Sequence, residues 1–309
     1  MNLFGINTIP VATTSAVQAG AQGDGHLCIL ALNETQSDAF HIQGNNVAKA
    51  ENCWVWVNSS STSAMSAVGG SKATAMGFCT HGNVDGEEHF VPSAGVKCSE
   101  MPDPIEQKLR SYNFVDDECD FEDYTLKRGT HTLYPGVYCG DTVFKPHAHV
   151  TFKADASNNP YIIKNGELLV QAQSSLKGDA KGVTIAFTGS DTKFTVRGGA
   201  DVDLRAPSEG ELPGFLLIDQ KSDGSSSEIQ DTIIRGGGSL KFEGLVYAPQ
   251  WRIIISGNSD VNGSSKCFAM VADRFRMEGN GELTVIADCE ESGLAQLMPK
   301  VKSVAKILY

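Results

Sequence analysis

Long hydrophobic runs are missing from this chain: no stretch of 18 apolar residues occurs in its 309, so nothing in it reads as a membrane-spanning helix. Aromatic residues are scarce, at 8%. Apolar residues at helical spacing are confined to Pro104 to Ser111 and to the tail Gly293 to Ile307, where Leu294, Leu297, Val301, Val304 and Ile307 recur every three or four positions; this excludes a helical bundle. Clustered basic residues are also lacking. With 25 Lys and Arg against 37 Asp and Glu, the net charge is −12, which argues against a nucleic-acid partner because a polyanion needs a concentrated basic face. The cysteines contain no CxxC doublet, the usual source of zinc ligands. No GxSxG, HExxH or Walker phrase occurs, and no GxGxxG lies before a helix, so no catalytic, cofactor or metal residue is assigned. Residues Met1 to Pro10 lack the basic start and apolar core of a signal peptide.

What is present is glycine, 32 residues of it, among short β-branched and aromatic runs bounded by Ser, Asn and Gly. A phrase returns: an apolar residue, a gap, a glycine, and four residues later an apolar residue opening a strand. It reads Val196-Arg-Gly198 to Val202, Ile234-Arg-Gly236 to Leu240, Ile255-Ser-Gly257 to Val261 and Met277-Glu-Gly279 to Leu283, with weaker echoes at Gly69 and at His147-Ala-His149. Gly236, Gly257 and Gly279 are 21 and 22 residues apart, the length of one coil of stacked strands, and the 38 residues from Gly198 to Gly236 are one coil plus an insertion. The expected fold is mainly β: a right-handed, parallel β-helix-like solenoid, stapled by disulfides, with few short helices.

Eight cysteines form an even set: Cys28, Cys53, Cys79, Cys98, Cys119, Cys139, Cys267 and Cys289. Disulfides, reduced core thiols and a metal or catalytic cysteine are the alternatives, and the absence of close doublets favours disulfides. Sequential pairs are separated by 25, 19, 20 and 22 residues, again about one coil, so each would join stacked neighbours and contribute about 3 kcal/mol. The implied compartment is oxidising. A disulfide-bearing chain without an export signal at its start implies that a targeting or membrane segment precedes Met1.

Other features have a bland and a sharp reading. Trp54 and Trp56 alternate along one strand and are either packed in the solenoid or covered by the lead-in, or else exposed as a platform for a carbohydrate or a protein partner. Asp201 and Asp203 alternate to one strand face near Arg197 and Arg205, as solvated carboxylates or as the acid pair of a polysaccharide-cleaving solenoid. His147 and His149 offer two metal ligands with no third, or are surface residues. The acid run Asp116 to Asp123 is a solvated loop or a weak divalent-cation site.

Five regions follow: a lead-in at 1–25 after a removed membrane helix, an N-terminal solenoid part at 26–81, an irregular insertion with Pro92, Pro102 and Pro104 at 82–130, the main solenoid at 131–289, and a helical tail at 290–309. The phrases CILALN, CWVWVNSSSTSAMSAVGGSKATA, PDPIEQKL, LYPGVYCGD, YIIKNGELLVQ, VTIAFTGSD, LVYAPQWRIIISGNSDVNG and CFAMVADRFRMEGNGELTV, running from about His26 to Asp288, resemble the C-terminal region of TadG-like proteins. These are accessory proteins of the tight-adherence (Tad, or Flp) pilus assembly system. The Asp-x-Ser-x-Ser metal site of some relatives is absent. The resemblance implies a non-enzymatic minor pilin of the periplasm or cell surface, anchored in the inner membrane when full-length and partnered by TadE- and TadF-like minor pilins. The alternatives from other classes are a carbohydrate-binding adhesin module acting on surface polysaccharide, and a β-helical polysaccharide lyase or hydrolase.

Overall fold

The computed structural model describes residues 16–17, 24–112, 114, 118–220, 229–258, 260–261, 267–287, 294–301 and 307–308. Short strands separated by tight turns wind into a solenoid. Along strand Asp201–Arg205 burial alternates, so that Val202 and Leu204 point inward while Asp201, Asp203 and Arg205 point out. Each strand pairs in parallel with its counterpart one coil later, and three such ladders make three walls around one interior. The first wall contains Val137–Cys139, Tyr161–Lys164, Ile185–Thr188 and Phe215–Asp219. The second contains Thr142–Phe144, Glu167–Val170, Lys193–Val196 and Gln230–Arg235. The third contains Gly129–Leu133, Ala148–Phe152, Ser175–Gly178 and Asp201–Arg205. Strand Ser239–Gly257 turns two corners and pairs in succession with members of all three walls.

Stacking order departs from chain order. Phe268–Gly279 pairs on its far side with Gly25–Ala31 and Phe40–Gly44, and Glu282–Thr284 pairs with Val47–Val57. The N-terminal coils therefore continue the stack where the C-terminal coils end, through 53–75 and then 77–96. Seen from the stack, the chain enters part-way along, climbs to the top, returns to the bottom, and winds back up to its starting point. Within 82–130 the structure places Val84–Asp85, Phe90–Val91 and Gly95–Val96 in the top coil and Phe121–Glu122 and Thr125–Leu126 in the bottom coil, leaving 97–120 as the return segment.

That segment runs down the outside of the first wall. Trp56 Nε1 donates to the Ser99 carbonyl at 3.1 Å and Asn58 Nδ2 to that of Met101 at 2.8 Å, near the top. Tyr247 Oη donates to Asp103 Oδ2 at 2.9 Å, and Gln220 Nε2 to the Tyr112 carbonyl at 3.0 Å, each in a lower coil. The single helical turn Glu106–Leu109 begins where Asp103 Oδ1 accepts from the Ile105 amide at 2.8 Å. The tail differs from the helix that its spacing predicts. Among the described residues of the tail, Leu294–Leu297 is the helical turn; Pro299 stops it, and Lys300–Val301 extends to pair antiparallel with Gly25 and His26.

Interior side chains stack in columns. One column of the second wall runs Val170, Val196, Ile234, Ile255, Met277, Ile42, Ala67, and its members are buried. Burying each of the larger ones contributes about 1.5–3 kcal/mol. At the corner beyond this column, Gly257, Gly279, Gly44 and Gly69 stack in consecutive coils with φ of 87°, 101°, 93° and 82°. Beside them Asn45 Nδ2 donates to Asn280 Oδ1 at 2.9 Å, and Asn280 Nδ2 to Asn258 Oδ1 at 3.4 Å, a short amide ladder along the corner.

Candidate functional site

The disulfides secure the ends of the return segment. Cys79–Cys98 ties its start to the top coil and Cys119–Cys139 ties its end to the bottom wall, with Cα separations of 5.9 and 5.8 Å. Cys28–Cys53, at 5.7 Å, joins stacked coils at the junction. Cys267 is disulfide-bonded as well, and its expected pairing with Cys289 lies outside the described residues. These bonds place the chain in an oxidising, extracytoplasmic environment.

Trp54 and Trp56 do not form a displayed platform. Trp54 is 3% exposed, its ring occupying the space that a side chain at Gly77 would fill, with ring carbons 2.5–2.8 Å from an added Cβ. Trp56 lies half-buried beneath the return segment, its indole nitrogen satisfied by Ser99. The strand's register shifts between Ala50 and Trp54, which the alternation rule does not anticipate. His147 and His149 are separated by conformation: His147 sits in the preceding turn at φ 65°, and His149 is exposed on the strand with Nδ1 3.0 Å from Ser175 Oγ. No group of three or more metal-ligating side chains occurs among the described residues. Asp201 and Asp203 share the outer face of the third wall, where Asp201 Oδ1 accepts from the Ser239 amide at 2.8 Å. In the acid run, Asp116 and Asp117 lie outside the described residues. Asp120 and Asp123 serve turns, accepting from the amides of Val137 at 2.8 Å and Asp141 at 3.3 Å.

The feature that stands out is on the outer face of the second wall. An open groove of about 510 Å³ there is lined by Glu167, Lys193, Thr195, Arg197, Gln230, Asp231, Ile233 and Arg235, among others. Its register is fixed by the ladder: Glu167 lies beside Lys193, and Val196 beside Ile234, so Arg197 and Arg235 occupy adjacent positions in consecutive coils. At one rim Arg252 donates to both Asp231 oxygens, at 2.8 and 2.6 Å, and that hydrogen bonding raises the guanidinium pKa above its ordinary value. The sequence did carry a signal for this site. Arg197 and Arg235 fill the gap position of the repeated phrase in two successive repeats, but the 38-residue interval hides that the two are stacked neighbours.

The fold is thus a parallel β-solenoid of discontinuous winding. Residues 82–290, about two thirds of the chain, match the family model described as a domain of unknown function, DUF7305, and the chain belongs to that family. The match begins within the top coil and leaves out the junction strands at 25–57. No curated protein matches the chain. Among solved structures, one reported as the structural basis for the antifreeze activity of an ice-binding protein (LeIBP) from Arctic yeast is similar at 13% identity, covering 78% of this chain and 90% of that one, with a TM-score of 0.32. A likeness at that level carries no inference about ice.

Proposed function

We propose that this chain is a non-enzymatic, extracytoplasmic component of a Tad (Flp) pilus system, a pilin-like assembly, priming or tip protein that supports surface adhesion. The phrases shared with TadG-like proteins suggest the system, and the disulfides agree with an exported module. The observation that carries the reading is the position of the chain ends. The entry strand Gly25–Ala31 and the exit strand Lys300–Val301 pair at the junction of the stack, and Ala16–Val17 pairs with Ile307–Leu308. A preceding inner-membrane helix, and the TadE- and TadF-like partners it would meet, would therefore hold the solenoid by its side and leave its long walls free for contact. The protein would then work at the periplasmic or outer surface of the cell.

The test is a chromosomal deletion complemented by variants. Deletion is expected to abolish piliation and surface attachment, with the wild-type chain restoring both and cross-linking to TadE- and TadF-like proteins. Asp201→Asn with Asp203→Asn is expected to restore them equally well, since exposed carboxylates contribute little and an asparagine oxygen still accepts from Ser239. Intact piliation after deletion, or polysaccharide cleavage by the purified chain, would overturn the reading.

A further inference from the structure

The other arginines on the outer face of the second wall are matched in pairs. Arg252 bonds Asp231, Arg274 bonds Asp273 at 2.7 Å, and Arg276 bonds Glu278. Lys193, Arg197 and Arg235 are different: among the described residues none of them has a carboxylate partner. Arg197 and Arg235 stand side by side in neighbouring coils, about 4.8 Å apart along the stack. Like charges directly across a ladder repel, so this arrangement costs stability unless an anion lies between them. It does so in a chain of net charge −12, where cations are in the minority.

We infer that the groove lined by Lys193, Arg197 and Arg235 binds an acidic glycan, a chain of carboxylate-bearing sugar rings. Two adjacent guanidinium forks are matched to a sugar carboxylate, which each can hold through paired N–H donors. The remaining lining suits sugar hydroxyls: Thr195 and Gln230 both donate and accept, and the Glu167 and Asp231 carboxylates accept. Ile233 supplies an apolar floor for the C–H face of a ring. About 510 Å³ is the size of a small-ligand site and accommodates a short oligosaccharide. The same carboxylates disfavour a nucleic acid, whose phosphates are too densely spaced to avoid them, and the field of the whole molecule opposes it further. This site does not depend on the pilus reading, and its failure would leave that reading untouched.

The experiment is isothermal titration of the purified full chain with a short oligogalacturonate, with the neutral galactose oligomer and with a single-stranded oligodeoxynucleotide as comparisons. The oligogalacturonate is expected to bind and the neutral oligomer not. R197Q and R235Q should each weaken binding about tenfold or more, while K177Q, the same charge change on the exposed third wall, should leave it unchanged. Without ligand, R197Q and R235Q should melt at or above the wild-type temperature because repulsion is relieved, and added oligogalacturonate should raise the melting temperature of the wild type but not of the double variant. Absence of uronate binding, equal loss in K177Q, or tighter binding of the oligodeoxynucleotide would overturn the proposal.

Discussion

A Cβ built on Gly44 would stand 2.2 Å from the Gly279 carbonyl oxygen, and one on Gly279 would stand 2.7 Å from that of Gly257. At Gly257 the nearest such atom is 3.6 Å away. All three have positive φ, so an alanine at any of them is strained, but only at Gly44 and Gly279 does it also strike the backbone of the next coil. Gly257→Ala is therefore expected to cost about 1–2 kcal/mol, and Gly44→Ala or Gly279→Ala roughly 2–4 kcal/mol. Urea unfolding of the three variants checks this, and equal losses would refute the stacked-corner account. The repeated phrase was readable at Gly257 and Gly279. Its Gly44 member, Ile42-Gln-Gly44-Asn-Asn-Val-Ala48, was hidden because the residue four places on is alanine. Aromatic bulk in these upper coils comes from Phe78 and Phe90, whose ring centroids are 5.3 Å apart.

Among the elements, the return segment is held differently from the coils it crosses. It has one helical turn and lies on the first wall through side-chain bonds and the buried Ile105, Leu109 and Phe114, while its ends are fixed by Cys79–Cys98 and Cys119–Cys139. Replacing Cys119 and Cys139 by serine is expected to lower unfolding free energy by about 3 kcal/mol and to release the lower half of the segment. Trypsin should then cut first at Lys108 or Arg110, before any strand of the stack, and mass spectrometry of early fragments would show it. Cleavage in the coils first would mean that the packing of Ile105, Leu109 and Phe114 holds the segment without the lower staple. The prolines and acids of this region announced irregular chain, yet nothing in them disclosed that it spans the stack from end to end.

Across the whole molecule, buried tyrosines tie the return segment and the lower coils into one unit. Tyr138 donates to the Tyr134 carbonyl at 2.9 Å, Tyr161 to that of Lys153 at 2.7 Å, and Tyr247 to Asp103. Burial is the largest cause pushing all three phenols well above their ordinary pKa, with Tyr124, Tyr138 and Asp103 adding to it for Tyr138, Tyr161 and Tyr247 in turn. Because the folded-state values lie above the unfolded one, the stabilisation is complete below about pH 10 and is lost as pH rises beyond it. Thermal melts from neutral to strongly alkaline pH should show a falling midpoint above about pH 10. Absorbance of tyrosinate should rise in two phases, the later coincident with unfolding. A single early phase accounting for all 7 tyrosines would contradict the burial.

The sequence by itself determined the local pattern: alternating strands, glycine corners at a coil's spacing and cysteines one coil apart, the combination from which a solenoid is expected. These are legible because each depends on residues within about one coil of one another. Only the tertiary structure decided that the N-terminal coils sit above the C-terminal ones, that Trp54 is enclosed and Trp56 covered by the return segment, and that Arg197 and Arg235 face one groove. Parallel ladder bonds are alike in every coil, so backbone pairing does not distinguish one stacking order from another. The order is set by which interior columns and corner glycines fit together, a choice made between residues more than 200 positions apart, as Gly44 on Gly279 shows.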